Sequence, residues 1–216
     1  ELASAFGAEA VLGAMADFSG DMEADGRVHF SRNIGLYLGE TDGRTTPRLT
    51  ALAGELAQAG LAAQAVPHVQ SLIWSKFCGW IGLVLAAVLT RRSTGEYLQD
   101  PDAARIIVRL ARETAQLAAL RSIPLVDISP MPTASLLRGT EQDAVELVRA
   151  TGVGMAAQAP GHRLSALQDL LRGRRLELDE TVGWALCEGN RMGLAMPTVD
   201  ACLCLARALS RADAAS

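Results

Sequence analysis

Residues 77–90 read FCGWIGLVLAAVLT, a run of fourteen positions without a charge. A helix that crosses a bilayer needs roughly 20 such residues, and this run meets Lys76 on one side and Arg91-Arg92 on the other. Its length and flanks predict a buried core helix rather than a membrane span, in a protein built mainly of helices. The composition agrees. Half of the 216 residues are apolar, yet aromatics make up only 4%. Ala and Leu dominate, and they favour packed helices over sheets rich in Val, Tyr and Phe.

Downstream of this run the pattern stays helical. Ser71 is positioned to cap the long apolar helix, which should reach about Leu89. Residues 102–121 repeat apolar side chains at Ile107, Leu110, Ala111, Leu117 and Ala118, the spacing of one helix face. Residues 140–157 predict a further helix with Thr140 as cap. Residues 165–172 open on Ser165-Ala-Leu-Gln168, which fits a capping box. Residues 181–192 are stopped by Gly193, and Pro197 can start a last helix with Val199, Cys202, Leu203, Ala206 and Leu209 on one side. The expectation is a bundle of about six helices.

Upstream the texture changes. Residues 11–16, 27–30 and 34–38 read as strands, separated by turn signals at Asp25-Gly26 and Arg32-Asn33. Residues 45–59 predict a helix with Leu49, Leu52, Leu56 and Ala59 on one face and Gly60 as its stop. Residues 61–66 predict a last strand, closed by Pro67. So few strands with a single helix are too little for an independently stable open α/β domain. The chain is therefore expected to hold a strand-rich remnant over residues 1–70 and a helical domain over residues 71–216.

A net charge of −4 and a pI near 5.4 give no reason to expect a nucleic-acid partner. Arg172, Arg174 and Arg175 are the local exception, better read as a solvated helix end or loop than as a phosphate site. Cys78, Cys187, Cys202 and Cys204 form no C-x-x-C pair and do not cluster with His29, His68 or His162. Zinc and a disulfide framework are thus disfavoured, and buried reduced thiols in a cytoplasmic protein are expected. Glu1 is followed by neither the basic stretch nor the apolar core of a signal peptide. No metal and no membrane partner are expected.

Lys76 is the most informative residue. An ammonium on an otherwise apolar helix must reach solvent, find a partner or lose its proton. Taken alone, a snorkelling side chain accounts for it. Ser165 stands at a helix N-terminus, as a cap or as a hydroxyl donor at an anion site. Glu177 falls just before a predicted helix, where the positive end of the dipole favours a carboxylate. Capping and surface solvation explain each of these singly.

Together they point further. Leu72-Ile-Trp-Ser-Lys76, Ser165-Ala-Leu-Gln168-Asp169, Arg175-Leu-Glu177-Leu-Asp179 and Gly193-Leu-Ala-Met-Pro197 resemble the C-terminal domain of ketopantoate reductase (2-dehydropantoate 2-reductase) in order and spacing. Val11-Leu-Gly-Ala, Gly26-Arg-Val-His29 and Leu36-Tyr-Leu-Gly39-Glu40 look like that family's closing strands. The resemblance covers nearly the whole chain. It implies a helical bundle of the 6-phosphogluconate-dehydrogenase-like C-terminal type, for substrate and dimerisation, preceded by the remnant of a Rossmann-type nucleotide-binding domain. It implies reduction of a 2-oxo acid with NADPH, a step of pantothenate biosynthesis. Lys76 matches the family's general acid, a role that apolar surroundings favour by easing proton release. Glu177 matches the glutamate that helps orient the reacting groups, and Ser165 a serine that hydrogen-bonds the substrate.

Three departures accompany the match. Four and eight residues after the lysine the family carries asparagines that hold the substrate's polar groups; here those positions are Trp80 and Val84. On a helix they lie about 6 and 12 Å from Lys76 along the axis, on roughly its side. A more apolar 2-oxo acid, or lost activity, follows from that exchange. Val182 replaces an asparagine before Gly183. The G-x-G-x-x-G loop that cradles a dinucleotide pyrophosphate does not occur in this sequence, so the chain alone is expected to bind NADPH poorly. Two readings stay open: the C-terminal portion of an NADP-dependent 2-oxo acid reductase, and a non-catalytic helical dimerisation or ligand-binding module of the same descent. The apolar helices could bury themselves in a homodimer as easily as in a monomer.

Overall fold

A computed structural model describes residues 2–22 and 25–213, and the chain divides into two units, Glu1–Ile73 and Trp74–Ser216. It is mainly α, as the apolar run and the scarcity of aromatics imply.

The first unit opens with α1 (Leu2–Phe6) and a short 3-10 turn, followed by β1 (Leu12–Met22), β2 (Val28–Glu40), α2 (Pro47–Gln58) and β3 (Ala63–Ala65). The sheet order is β1-β2-β3, with β1 antiparallel to β2 and β3 parallel to β2. The turn expected at Arg32-Asn33 is not there, because β2 runs through it. Asp17 faces Gly35 and Phe18 faces Asn33, so Ile34 is the extra residue of a bulge, which bends the ladder without ending it. The Asn33 side chain does other work. Its Nδ2 donates to the Gly60 carbonyl at 3.0 Å and its Oδ1 accepts from the Ala62 amide at 3.0 Å, tying down the entry to β3.

Thr46 caps α2, accepting from the Leu49 amide, and Pro47 follows at the first helical position. Leu49 and Ala53 are buried, whereas Leu52 of the expected face is 37% exposed. The last strand is shorter than expected, three residues rather than six. Gly13 and Gly39 face each other across β1 and β2. A Cβ on either would come within 2.7 Å of the Val69 side chain, so only glycines let Val69 lie this close to the sheet.

The helical part is formed by α3 (Val69–Thr90), α4 (Thr94–Gln99), α5 (Pro101–Leu120), α6 (Thr133–Leu136), α7 (Glu141–Gln158), α8 (Ser165–Leu171), α9 (Trp184–Arg191) and α10 (Pro197–Asp213). α3 begins before Ser71, which is a buried helical residue rather than the cap. With 22 residues, α3 is long and apolar enough to cross a membrane by length and composition. Yet residues 81–88 are all buried, packed in the main core with Ile107, Leu110, Val148 and Leu203. It is a core helix here.

Two helices escape the sequence expectation, α4 and α6. Each is too short to display a period. The start of α4 is nevertheless well marked: the Glu96 carboxylate accepts from the Ser93 amide at 2.9 Å and from its hydroxyl at 2.6 Å. Thr140 caps α7 as expected, accepting from the Asp143 amide at 3.1 Å. The N-terminus of α10 is held by Glu113 of α5, whose carboxylate accepts from the Thr198 and Val199 amides at 3.0 and 2.9 Å.

Ile107 is fully buried in this core. Ile107→Ala should cost roughly 2–5 kcal/mol, read as a lower urea midpoint at unchanged slope. A loss below about 1 kcal/mol would remove Ile107 from the core it is assigned to.

Candidate active site

The orientation of α3 is set by what its first turns must bury. The Ser75 hydroxyl accepts from the Val126 amide at 2.8 Å, and the Ser75 carbonyl accepts from the Thr133 hydroxyl at 2.8 Å. Gly79 lets Met131 and Thr133 approach, since a Cβ there would lie 2.9 Å from Thr133 Oγ1. At Gly82 the same atom would lie 3.0 Å from Ile107 Cγ2. This face is closed, and Lys76 is left exposed beside it. Along the side that carries the lysine, Trp80 is half-buried and Val84 is 2% exposed in the core. The stripe 76–80–84 therefore passes from water into the interior within two turns.

Around Lys76 the surface is aromatic. Trp74 and Phe77 meet edge to face with ring centroids 5.9 Å apart. Trp184, the first residue of α9, lies 5.8 Å from Phe77 and 6.2 Å from Trp74. The Arg121 guanidinium sits over the Trp74 ring, 5.2 Å from its centroid, and pairs with the Glu188 carboxylate. Glu188 also accepts from Arg191 at 2.8 and 2.9 Å. The hydrogen bond from Arg191, with the charge of Arg121 added, holds the Glu188 carboxyl down at about 2.

Glu177 stands between Leu176 and Leu178, which are 7% and 4% exposed. With both neighbours turned inward, Glu177 is exposed. Its carbonyl accepts the Thr181 hydroxyl, and its carboxylate has no ion-pair partner among the described residues. The helix expected to follow it starts as a wide π turn, Asp179–Gly183, that runs directly into α9. The Phe77–Trp184 contact thus links the lysine's helix to the segment that follows Glu177. Ser165 is the first residue of α8 and exposed. It is not the cap: Leu164 takes that place without a side-chain bond, and Gln168 donates to the Arg163 carbonyl at 3.0 Å instead of closing a capping box.

Sequence reasoning passed over Trp184, Arg121 and Glu188, and one signal at Lys76 itself. Lys76 is the only lysine in the chain, while the other 19 basic residues are arginines. Tryptophan is nearly as scarce, with three in 216 residues, and that scarcity could have drawn attention to Trp184.

The basic cluster is neutralised locally, with Arg174 on Asp169 at 3.3 Å and Arg175 on Glu180. All four cysteines are free thiols, but Cys187 and Cys204 are exposed, contrary to the expectation of burial. Burial pushes the Cys78 thiol up to about 12. Among the described residues no three His, Cys, Asp or Glu side chains gather as metal ligands.

Residues 68–210 match the family model for the C-terminal domain of ketopantoate reductase, PanE/ApbA. The chain belongs to this family. Ketopantoate reductase relatives include the 2-dehydropantoate 2-reductases of Mesorhizobium japonicum, 28% identical over 207 residues, and Archaeoglobus fulgidus, 27% identical over 184. Those alignments take in 94% and 85% of this chain but 56% and 55% of the relatives, so the chain spans little more than half their length. The solved 2-dehydropantoate 2-reductase of Methylococcus capsulatus shares the fold, with a TM-score of 0.76, 23% identity, and coverage of all of this chain and 67% of that one.

A dinucleotide, which the family implies, needs a strand-to-helix junction open to a pyrophosphate. The β2–α2 junction of this chain does not fit. Thr46 and Arg48 both donate to the Glu40 carboxylate there. Those bonds, Arg48 first, hold the Glu40 carboxyl at about 2. A phosphate would meet an ionised carboxylate.

Because Glu188 ionises at about 2 in the fold against an ordinary 4.5, its stabilising effect is complete above about pH 4.5. It disappears as pH falls toward 2. Urea midpoints of Glu188→Gln should therefore fall below those of the parent at pH 7 and converge with them near pH 2.5. A constant gap across that range would contradict the assignment.

Proposed function

We propose that this chain is the substrate-side portion of a reductase acting on a 2-oxo acid, with Lys76 as the general acid. The observation that carries this reading is the lone lysine. A guanidinium stays protonated at any pH an enzyme meets, whereas an ammonium can give up its proton. This sequence uses arginine for every other cation and keeps lysine at the one position that matches the family's proton donor. In the proposed step Lys76 Nζ gives a proton to the carbonyl oxygen of the substrate. The resulting neutral amine then regains one from solvent. The hydride belongs to the nicotinamide dinucleotide, NADPH by family resemblance, for which this chain offers no pyrophosphate cradle.

Glu177 is proposed to orient the lysine and the substrate, and Ser165 to donate its hydroxyl to the substrate. Both are exposed and free of competing side-chain bonds among the described residues, so a ligand can reach them. A homodimer through the helical domain and a cytoplasmic setting belong to the same proposal. A second reading, a non-catalytic module of the same descent, is favoured by Trp80, Val84 and the carboxylate at the β2–α2 junction.

The two separate on protein expressed from the complete gene. Addition of 2-oxo acids should drive NADPH oxidation. Lys76→Arg should lower kcat by roughly 10²–10⁴-fold with an unchanged far-UV circular dichroism spectrum and a KM within a few fold of the parent. Turnover by Lys76→Arg within tenfold of the parent would show that only the charge matters and would end the general-acid assignment.

A further inference from the structure

We infer that the substrate taken at Lys76 is a 2-oxo acid with an aryl or bulky apolar side chain, not a hydroxylated one, and that Trp80 is the main determinant of that choice. This rests on the 2-oxo acid reading above and adds the substrate class to it.

In a chain with 4% aromatic residues, all three tryptophans belong to the surroundings of the only lysine. Trp74 and Trp80 lie on α3 two residues before it and four after it, and Trp184 packs on Trp74 and Phe77 at 6.2 and 5.8 Å. Trp80 shares the lysine's side of the helix, since four residues turn about 400°. It is half-buried, so part of its surface stays open, and Val84 closes the interior behind it at 2% exposure.

The polar groups of this segment are already committed. The Ser75 hydroxyl is buried against the Val126 amide and its carbonyl against Thr133. The Arg121 guanidinium is held between Trp74 and Glu188 and also donates to the Leu117 carbonyl at 3.2 Å. A substrate hydroxyl laid along 76–80–84 would thus meet one indole N–H at most and would lose its water for little return. An aryl or branched apolar group placed there gains ring contact and gives up nothing.

The test uses protein from the complete gene and three substrates: phenylglyoxylate, 3,3-dimethyl-2-oxobutanoate and its 4-hydroxy derivative. The last two differ by one hydroxyl. Phenylglyoxylate should have the highest kcat/KM and the hydroxylated acid the lowest, with a spread of roughly 10²-fold between them. Trp80→Asn should raise kcat/KM for the hydroxylated acid and lower it for phenylglyoxylate, each by about tenfold or more. Trp80→Leu, which keeps an apolar side chain and is the safer variant for folding, should lose the aryl preference and still reject the hydroxylated acid. Phenylglyoxylate should also quench intrinsic tryptophan fluorescence in the parent, and less in Trp80→Leu.

A parent enzyme that prefers the hydroxylated acid, or treats all three alike, overturns this inference and leaves the reductase reading standing. Absence of turnover with every 2-oxo acid, including the hydroxylated one, removes the reductase reading itself.

Discussion

The helical unit depends on keeping residues 81–88 out of water. Eight consecutive buried positions on one helix require neighbours on every side, and α5, α7, α8 and α10 contribute them through Ile107, Val148, Leu167 and Leu203. Each large side chain so buried is worth roughly 1.5–3 kcal/mol. An ammonium cannot join such an environment without a heavy desolvation cost. The helix is therefore divided along its length into a dry second half and a wetter first half, and Lys76 falls on the wet side. It stands within two turns of positions where a charge could not survive.

That boundary also explains the aromatic neighbours. A surface beside a core but open to water suits side chains with a large apolar body and a tolerant edge, and indole is the best of these. Trp74 gains a second partner in Arg121, whose planar guanidinium stacks on a ring while pairing with a carboxylate. Glu188 then holds Arg121 and Arg191 together. The arrangement keeps cationic groups occupied near the lysine, so the chemistry open to the region is set by one ammonium and its apolar walls.

How much of this was legible in the sequence varied with the physical origin of each feature. The long core helix was legible because an uncharged run flanked by charges has few other stable uses. The caps at Thr46 and Thr140 were legible because the side chain that caps is local to the helix that it starts. The exchange of a turn for a bulge at Arg32-Asn33 was not. A polar pair inside a strand looks the same whether the chain reverses or continues, and what decides it is the pairing of Asn33 with Gly60 and Ala62, almost 30 residues away. Ser165 misled for a related reason, since a shift of one residue in the start of α8 turns a cap into a first-turn side chain. The Trp74–Phe77–Trp184 contacts are tertiary, and no periodicity within either segment encodes them.

Lys76 shows a different kind of legibility, one of contrast. A residue type gains meaning when the chain otherwise avoids it. Nineteen arginines meet the structural needs for positive charge in this protein: they pair with Glu40, Asp100, Glu141, Asp169, Asp179 and Glu188. Arginine suits such pairs because its fork of donors is planar and permanently charged. A sequence with so strong a preference had every opportunity to place arginine at position 76 as well, if only charge or solubility were required there. What lysine adds is a proton that can leave. The same comparison applies at position 80, where a tryptophan in a tryptophan-poor chain stands one turn from that proton. Scarcity at both positions falls on the same stretch of α3, the stretch where the core gives way to solvent.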